Sequence, residues 1–323
     1  MSDPNAPTEV FERALAGERR MLARAITLLE AGNPEISEAM RARSPKRRNA
    51  PGAPHVVGLT GPPGSGKSTL TDRLVASIRG AGRTVAVVAV DPASPFTGGA
   101  ILGDRVRLEA HCGDEGVYVR SLSSRGHLGG LSRATSQVVD LLDIVGFDVV
   151  LIETVGVGQS EIGVMEIADS VVVVLTPESG DQVQTMKAGL LEVADVFVVN
   201  KADRPGAERL AKDLALAVEL DEASLWSAPV HTASALHSEG IGAVVESVRA
   251  HGEWLTEAGR DAWASRRASG RRRLCLDLIS EWGREAASRL LDGDAAELRA
   301  SLDAGSIDPF AAAQALAAKV NLD

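Results

Sequence analysis

The stretch from His55 to Leu70 constrains this chain more than any other: an apolar run, HVVGLT, leads straight into GPPGSGKST and then into the apolar-periodic segment TLTDRLVASI. That order is strand, glycine loop, helix. Gly61, Gly66, Lys67 and Ser68 fit the phosphate-loop spacing, in which four residues separate the first glycine from the closing Gly-Lys-Ser. Main-chain N–H groups that curl around a polyphosphate need glycine wherever a Cβ would block the approach, and the helix that follows offers its N-terminus to the negative charge. The loop residues Gly61, Pro62, Pro63, Gly64, Ser65, Gly66, Lys67, Ser68 and Thr69 are expected to hold nucleotide phosphates, with Lys67 on the terminal phosphates and Ser68 on Mg2+. A plain glycine turn between strand and helix does not require the full spacing.

Further short, valine-rich runs follow: TVAVVAV into Asp91, DVVLI into Glu153, SVVVVLT into Pro177 and DVFVV into Asn200. They are apolar throughout instead of alternating, and helical patterns separate them. Such runs describe strands covered on both faces of a parallel sheet, so the expected fold is doubly wound, mostly parallel α/β. Ligands in these sheets sit beyond the carboxyl ends of the strands, where the glycine loop, Asp91, Glu153 and Asn200 would converge.

The rest of the chain reads as extensions. Residues 10–31 carry Phe11, Leu15, Leu22, Ile26 and Leu29 at near-helical spacing, closed by Gly32, Asn33 and Pro34. This amphipathic helix either packs on the main domain or binds a partner. A basic run with Arg41, Arg43, Lys46, Arg47 and Arg48 and the connector NAPGAP lead to the first strand. After Gly240, IGAVVESVRAHGEWL is a last covering helix; beyond it, segments rich in arginine and alanine carry Leu274, Leu278, Trp282, Leu290 and Leu291, and Asp308-Pro309 has the order of a helix cap. The expected division is 1–52 as an N-terminal helical extension, 53–255 as the nucleotide domain and 256–323 as a C-terminal helical module.

Charge and cysteine usage narrow the function classes. A formal charge of −10 argues against a nucleic-acid partner, and two cysteines, Cys112 and Cys275, suggest neither a disulfide framework nor a thiolate metal site. The opening MSDPNAPTEV lacks a basic region followed by an apolar one, and no uninterrupted apolar span follows, so a cytoplasmic protein without a membrane partner is expected.

Base identity is read at Asn200-Lys201-Ala202-Asp203. The Asp203 carboxylate can accept from the guanine ring N–H and exocyclic amino group, a pair that adenine does not present, while Lys201 lays its stem along the base and Asn200 holds the loop. Ser234, Ala235 and Leu236 then back the base. Together with the phosphate loop they make GTP/GDP, not ATP, the expected nucleotide.

Where common GTPases carry Asp-x-x-Gly, this chain has Glu153-Thr154-Val155-Gly156. With VDPAS (90–94), GDRVRL (103–108), SRGHLGGLSRAT (124–135), ETVGVGQSE (153–161) and PESGDQVQTMKAG (177–189), the sequence resembles the MeaB/ArgK family across nearly its whole length. These are G-protein chaperones of adenosylcobalamin-dependent acyl-CoA mutases, of the SIMIBI class of P-loop GTPases. The resemblance implies a GTPase that gates adenosylcobalamin loading and protects or reactivates a mutase of the methylmalonyl-CoA type. It implies a homodimer joined through the C-terminal helices, with a cobalamin adenosyltransferase as a further partner, and it implies that Asp91, Asp104 and Glu153 surround Mg2+ with Ser68 as the direct ligand and Gly156 beside the nucleotide. Arg107 either stabilises transferring charge or forms a structural ion pair; Gln159 stands off the usual water-positioning place, and Lys187 lies in a segment resembling an additional switch. The tail either dimerises or packs on its own nucleotide domain. Two competing functions share the phosphate loop: a metal-insertion GTPase serving nickel enzymes, which would carry a histidine-rich tract or Cys-x-x-Cys pair, and a small-molecule kinase, which would need no guanine-reading residues.

Overall fold

In the computed structural model, which describes residues 6–43, 53–91, 110–111, 113–123, 133–154, 167–179, 193–220 and 225–320, the valine-rich runs become the middle of one sheet. The strands are β1 (His55–Thr60), β2 (Val85–Asp91), β3 (Val117–Ser123), β4 (Val149–Thr154), β5 (Ser170–Leu175), β6 (Val196–Val199) and β7 (Val230–Thr232). Their order is β3-β2-β4-β1-β5-β6-β7, and every pairing between them is parallel. All residues of β4, β5 and β6 are buried, which is why these segments carry no polar alternation. The two edges, β3 and β7, escape that pattern because an edge strand accepts polar residues such as Arg120 and His231.

The helices, in chain order, are α1 (Pro7–Leu15), α2 (Arg19–Glu30), α3 (Pro34–Arg41), α4 (Lys67–Gly80), α5 (Arg133–Val145), α6 (Ala207–Glu219), α7 (Ile241–Thr256), α8 (Arg260–Asp292), α9 (Ala296–Asp303) and α10 (Pro309–Ala317). Helices α4 and α7 cover one face of the sheet, with Leu70, Leu74 and Val244 against Val57, Leu59, Leu151 and Val174. On the other face Leu141, Leu142 and Leu210 meet Val150, Ile152, Val173 and Phe197. The N-terminal helices belong to this second core, which settles their alternative: Phe11, Ile26 and Ile36 are fully enclosed in it, each contributing about 2 kcal/mol by burial. The single helix expected over 10–31 is two helices, because Gly17 takes a left-handed φ of 91° and breaks the run. Asn33 does more than end it, since its side chain accepts from the N–H groups of Glu35 and Ile36 and opens α3 with Pro34 in the first turn.

At the end of the sheet where the strands begin, three aspartates stand one residue ahead of β4, β5 and β6. Asp148, Asp169 and Asp195 each accept a main-chain N–H of a neighbouring segment, from Thr84, Val56 and Val171 respectively. The start of α8 is fastened to the same carboxylates: Trp263 Nε1 and Arg267 donate to Asp169 Oδ1 at 2.9 and 2.6 Å, and Arg266 donates to Asp195 at 2.9 Å. Asp169 is almost fully buried, so removing its cation would cost about 3 kcal/mol or more.

Beside them the Ser170 hydroxyl lies 2.6 Å from both His55 Nε2 and His251 Nδ1; with a single proton it can donate to only one ring, so at least one of the two facing nitrogens carries a hydrogen and donates to it. Burial holds both imidazoles neutral, pushing each down to about 4. Above pH 6.5 both are neutral folded and unfolded. As pH falls from 6.5 towards 4 the unfolded chain takes up protons that the folded one refuses, so stability falls by a few kcal/mol over that window. Urea midpoints at pH 7.5 and 5 measure this, and His251→Asn should flatten the dependence; equal midpoints in the unmutated protein would contradict it.

The chain divides into two compact units, Met1–Arg267 and Ala268–Asp323. The second consists of the remainder of α8, with α9 and α10. Asp308 caps α10 as its sequence suggests, accepting from the N–H groups of Phe310 and Ala311 with Pro309 in the first turn. Leu276, Ile279, Trp282 and Phe310 are exposed on this unit.

Candidate nucleotide site

Strand β1 is flanked by β4 on one side and β5 on the other, so the chain reverses its direction of spread there and opens a crevice at the carboxyl end of β1. The glycine loop fills that crevice. Gly66 caps α4 in the left-handed region with φ 88°, and a Cβ on it would run into the Asn200 side-chain amide. Gly61, at φ 137°, would drive a Cβ into the Val174 carbonyl. The main chain of β5 and the Asn200 side chain just past β6 therefore demand these glycines independently of any phosphate.

Lys67 is 5% exposed, and its ammonium donates to the carbonyl oxygens of Gly61 at 2.7 Å and Pro62 at 3.0 Å, which places the charge across the mouth of the loop. Two buried hydroxyls at the same place, Thr60 Oγ1 and Ser65 Oγ, have no hydrogen-bond partner among the described residues. Orphaned polar atoms around a cationic loop fit a polar ligand. Ser68 donates to Glu153 Oε1, and Thr71 Oγ1 lies 2.9 Å from Glu153 Oε2; the carboxylate, only 7% exposed, is brought here by the register that sets Glu153 opposite Leu59 of β1. A serine hydroxyl in contact with a carboxylate is a pair of hard oxygen donors, the set that suits Mg2+ together with phosphate oxygens and water.

The residues expected from sequence to read the base are brought together by Asn200, which is 2% exposed just past β6. Its Nδ2 donates to Ser65 O at 2.8 Å, and its Oδ1 accepts from the Ala235 N–H at 3.0 Å. One amide thus ties the phosphate loop to the segment around Ser234, Ala235 and Leu236. Lys201 takes a left-handed φ of 57°, turning the chain so that the exposed Asp203 accepts from Ser234 Oγ at 2.7 Å. That hydrogen bond, with a main-chain one, holds the Asp203 carboxyl below its ordinary range and keeps it an acceptor. Arg73 Nε, from α4, donates to Ala235 O and braces the same segment.

Of the residues singled out from sequence, the loop from Gly61 to Thr69 with Glu153, Asn200, Lys201, Asp203, Ser234, Ala235 and Leu236 are described. Asp91 closes β2, but its side chain lies outside the described residues, as do Asp104, Arg107, Gly156, Gln159 and Lys187 altogether. Thr71 and Arg73 escaped sequence reasoning. Thr71 had a signal: a hydroxyl at a buried position of α4, three residues after Ser68 and so on the same side of the helix.

The family model described as "Methylmalonyl Co-A mutase-associated GTPase MeaB" matches residues 22–285, from within α2 to within α8 and across both nucleotide motifs. The chain belongs to the MeaB family. GTPase ArgK of Escherichia coli is 37% identical to it over 261 residues, 78% of each chain. A Pyrococcus horikoshii protein is 46% identical over 256 residues, 78% of this chain and 80% of that one. Among solved structures, the crystal structure of an LAO/AO transport system kinase covers 99% of both chains with a TM-score of 0.69 at 25% identity. As a MeaB-family member with an intact phosphate loop, the chain is a P-loop GTPase that binds guanine nucleotide and hydrolyses GTP.

Proposed function

We propose that this MeaB-family GTPase serves an adenosylcobalamin-dependent acyl-CoA mutase of the methylmalonyl-CoA type, using GTP hydrolysis to gate cofactor loading and to protect or reactivate the enzyme. The observation that carries this reading is the family match over residues 22–285, whose description names the mutase. In the site, the loop N–H groups and Lys67 hold the phosphates, Asp203 and Lys201 hold guanine, and Asn200 keeps the two halves at a fixed spacing. Ser68 and Glu153 would hold Mg2+, joined in the family pattern by Asp91 and Asp104; the ion would neutralise charge on the transferring phosphoryl group. Among the described residues none beside Lys67 and Glu153 has a water-positioning role, and we infer that a partner ordering a loop completes the site. Single-turnover hydrolysis with and without a cobalamin-dependent mutase tests this: at least tenfold acceleration by the mutase is expected, and no change at saturating mutase would refute it.

The same reading makes the protein a homodimer through the C-terminal module, with a cobalamin adenosyltransferase as a second partner. A truncation that tests the dimer must spare Trp263, Arg266 and Arg267, because these satisfy Asp169 and Asp195. A chain ending at Arg267 should be a monomer by light scattering and still bind GDP; a dimer would sink the assignment.

A further inference from the structure

Helix α4 buries Leu70, Leu74 and Val75 against the sheet, and Thr71 is buried among them with no exposed surface. An apolar β-branched residue would fill that volume equally well. A buried hydroxyl costs free energy unless it is hydrogen-bonded, so its partners indicate what the position requires. Thr71 Oγ1 lies 3.0 Å from Lys67 O and 2.9 Å from Glu153 Oε2. The Lys67 carbonyl faces the ordinary helical N–H of the next turn, whereas the carboxylate is the stronger acceptor, so the hydroxyl proton serves Glu153. Ser68, three residues earlier on α4, takes the other oxygen, Oε1. The two hydroxyls therefore divide one carboxylate between them, and Thr71 keeps its oxygen whether Ser68 turns to the carboxylate or to a cation.

We propose that Thr71 is a positioning residue for GTP hydrolysis, presetting the rotamer of Glu153 so that Oε1 faces the Ser68 hydroxyl before Mg2+ arrives. This rests on the assignment of Glu153 and Ser68 to Mg2+. A glutamate has two side-chain torsions beyond χ1 to order, and the Thr71 hydroxyl fixes one of its oxygens; without Thr71 more of that ordering falls to the binding of the cation. The effect belongs in the concentration of Mg2+ that the protein needs, not in nucleotide recognition, because the side-chain partner of the Thr71 hydroxyl is the Glu153 carboxylate and not a residue of the turn over 200–203.

The test compares Thr71→Val, which keeps shape and loses the hydroxyl, with Thr71→Ser, which keeps the hydroxyl. Two readouts are taken across a Mg2+ titration: release of a fluorescent GDP analogue and single-turnover GTP hydrolysis. Thr71→Val should raise the half-maximal Mg2+ concentration about five- to tenfold in both, leave GDP affinity in EDTA within about twofold, and be rescued by Thr71→Ser. An unchanged Mg2+ midpoint in Thr71→Val would overturn the proposal. Glu153→Gln separates this from the underlying assignment: if it leaves the Mg2+ midpoint of GDP release unchanged, the assignment of Glu153 itself is wrong. If it shifts the midpoint, Thr71→Val added to it should shift it no further. A further independent shift would mean that Thr71 acts through packing and not through the carboxylate.

Discussion

Lys67→Ala lowers kcat/KM for GTP by about a hundredfold or more while the protein remains folded. The ammonium is enclosed at 5% exposure, in surroundings where a charge acts on a phosphate with far less screening than in water. Removing one well-placed electrostatic group from such a site costs on the order of a hundred- to a thousandfold. The fold is expected to survive because the ammonium's bonds to the carbonyls of Gly61 and Pro62 lie within its own loop, and no strand pairing depends on them. Arginine does not substitute, since a planar fork cannot fit where a point charge meets two carbonyls at 2.7 and 3.0 Å. Steady-state hydrolysis, with circular dichroism as the control for folding, measures the loss; turnover within tenfold of the unmutated protein would show that Lys67 does not face the phosphates.

Asp203→Ala removes the preference for GTP over ATP by about two orders of magnitude. The carboxylate is exposed, ionised and aimed by Ser234 Oγ at 2.7 Å, so it is preorganised to accept from the two donors on the guanine edge. ATP gains little from the change because adenine never used that acceptor. Competition of ATP and GTP against a fluorescent GDP analogue reads the ratio directly. Ser234→Ala gives a smaller loss, about tenfold, because the carboxylate remains but is free to turn. Equal affinity for ATP and GTP in the unmutated protein would remove the basis of the prediction.

Much of this protein is legible in its sequence because the relevant signals are local. A phosphate loop is one turn between one strand and one helix, so GPPGSGKS carries its own geometry, and strands buried on both faces read as apolar runs, as β4, β5 and β6 do apart from polar residues at their ends, Glu153 and Thr154 closing β4 and Ser170 opening β5. The Asn200-Lys201-Ala202-Asp203 string is likewise contiguous, directly after β6. The edge strands were not legible, since with one neighbour they tolerate Arg120 and His231 and lose the pattern. Nor was the break at Gly17, which the periodicity of Phe11, Leu22 and Ile26 runs straight across.

Sequence alone therefore determined the buried strands β1, β2, β4, β5 and β6, the phosphate loop and the family to which the chain belongs. Tertiary structure decided who meets whom: that Asn200 spans from Ser65 to Ala235, that Thr71 and Ser68 share the Glu153 carboxylate, and that Arg266 and Arg267 answer Asp195 and Asp169. These pairs are separated by tens of residues in the chain, and side-chain spacing along one element cannot report them. The parallel register of β1 with β4 and β5 sets them in place, because a shift of one residue would turn Glu153 to the opposite face of the sheet.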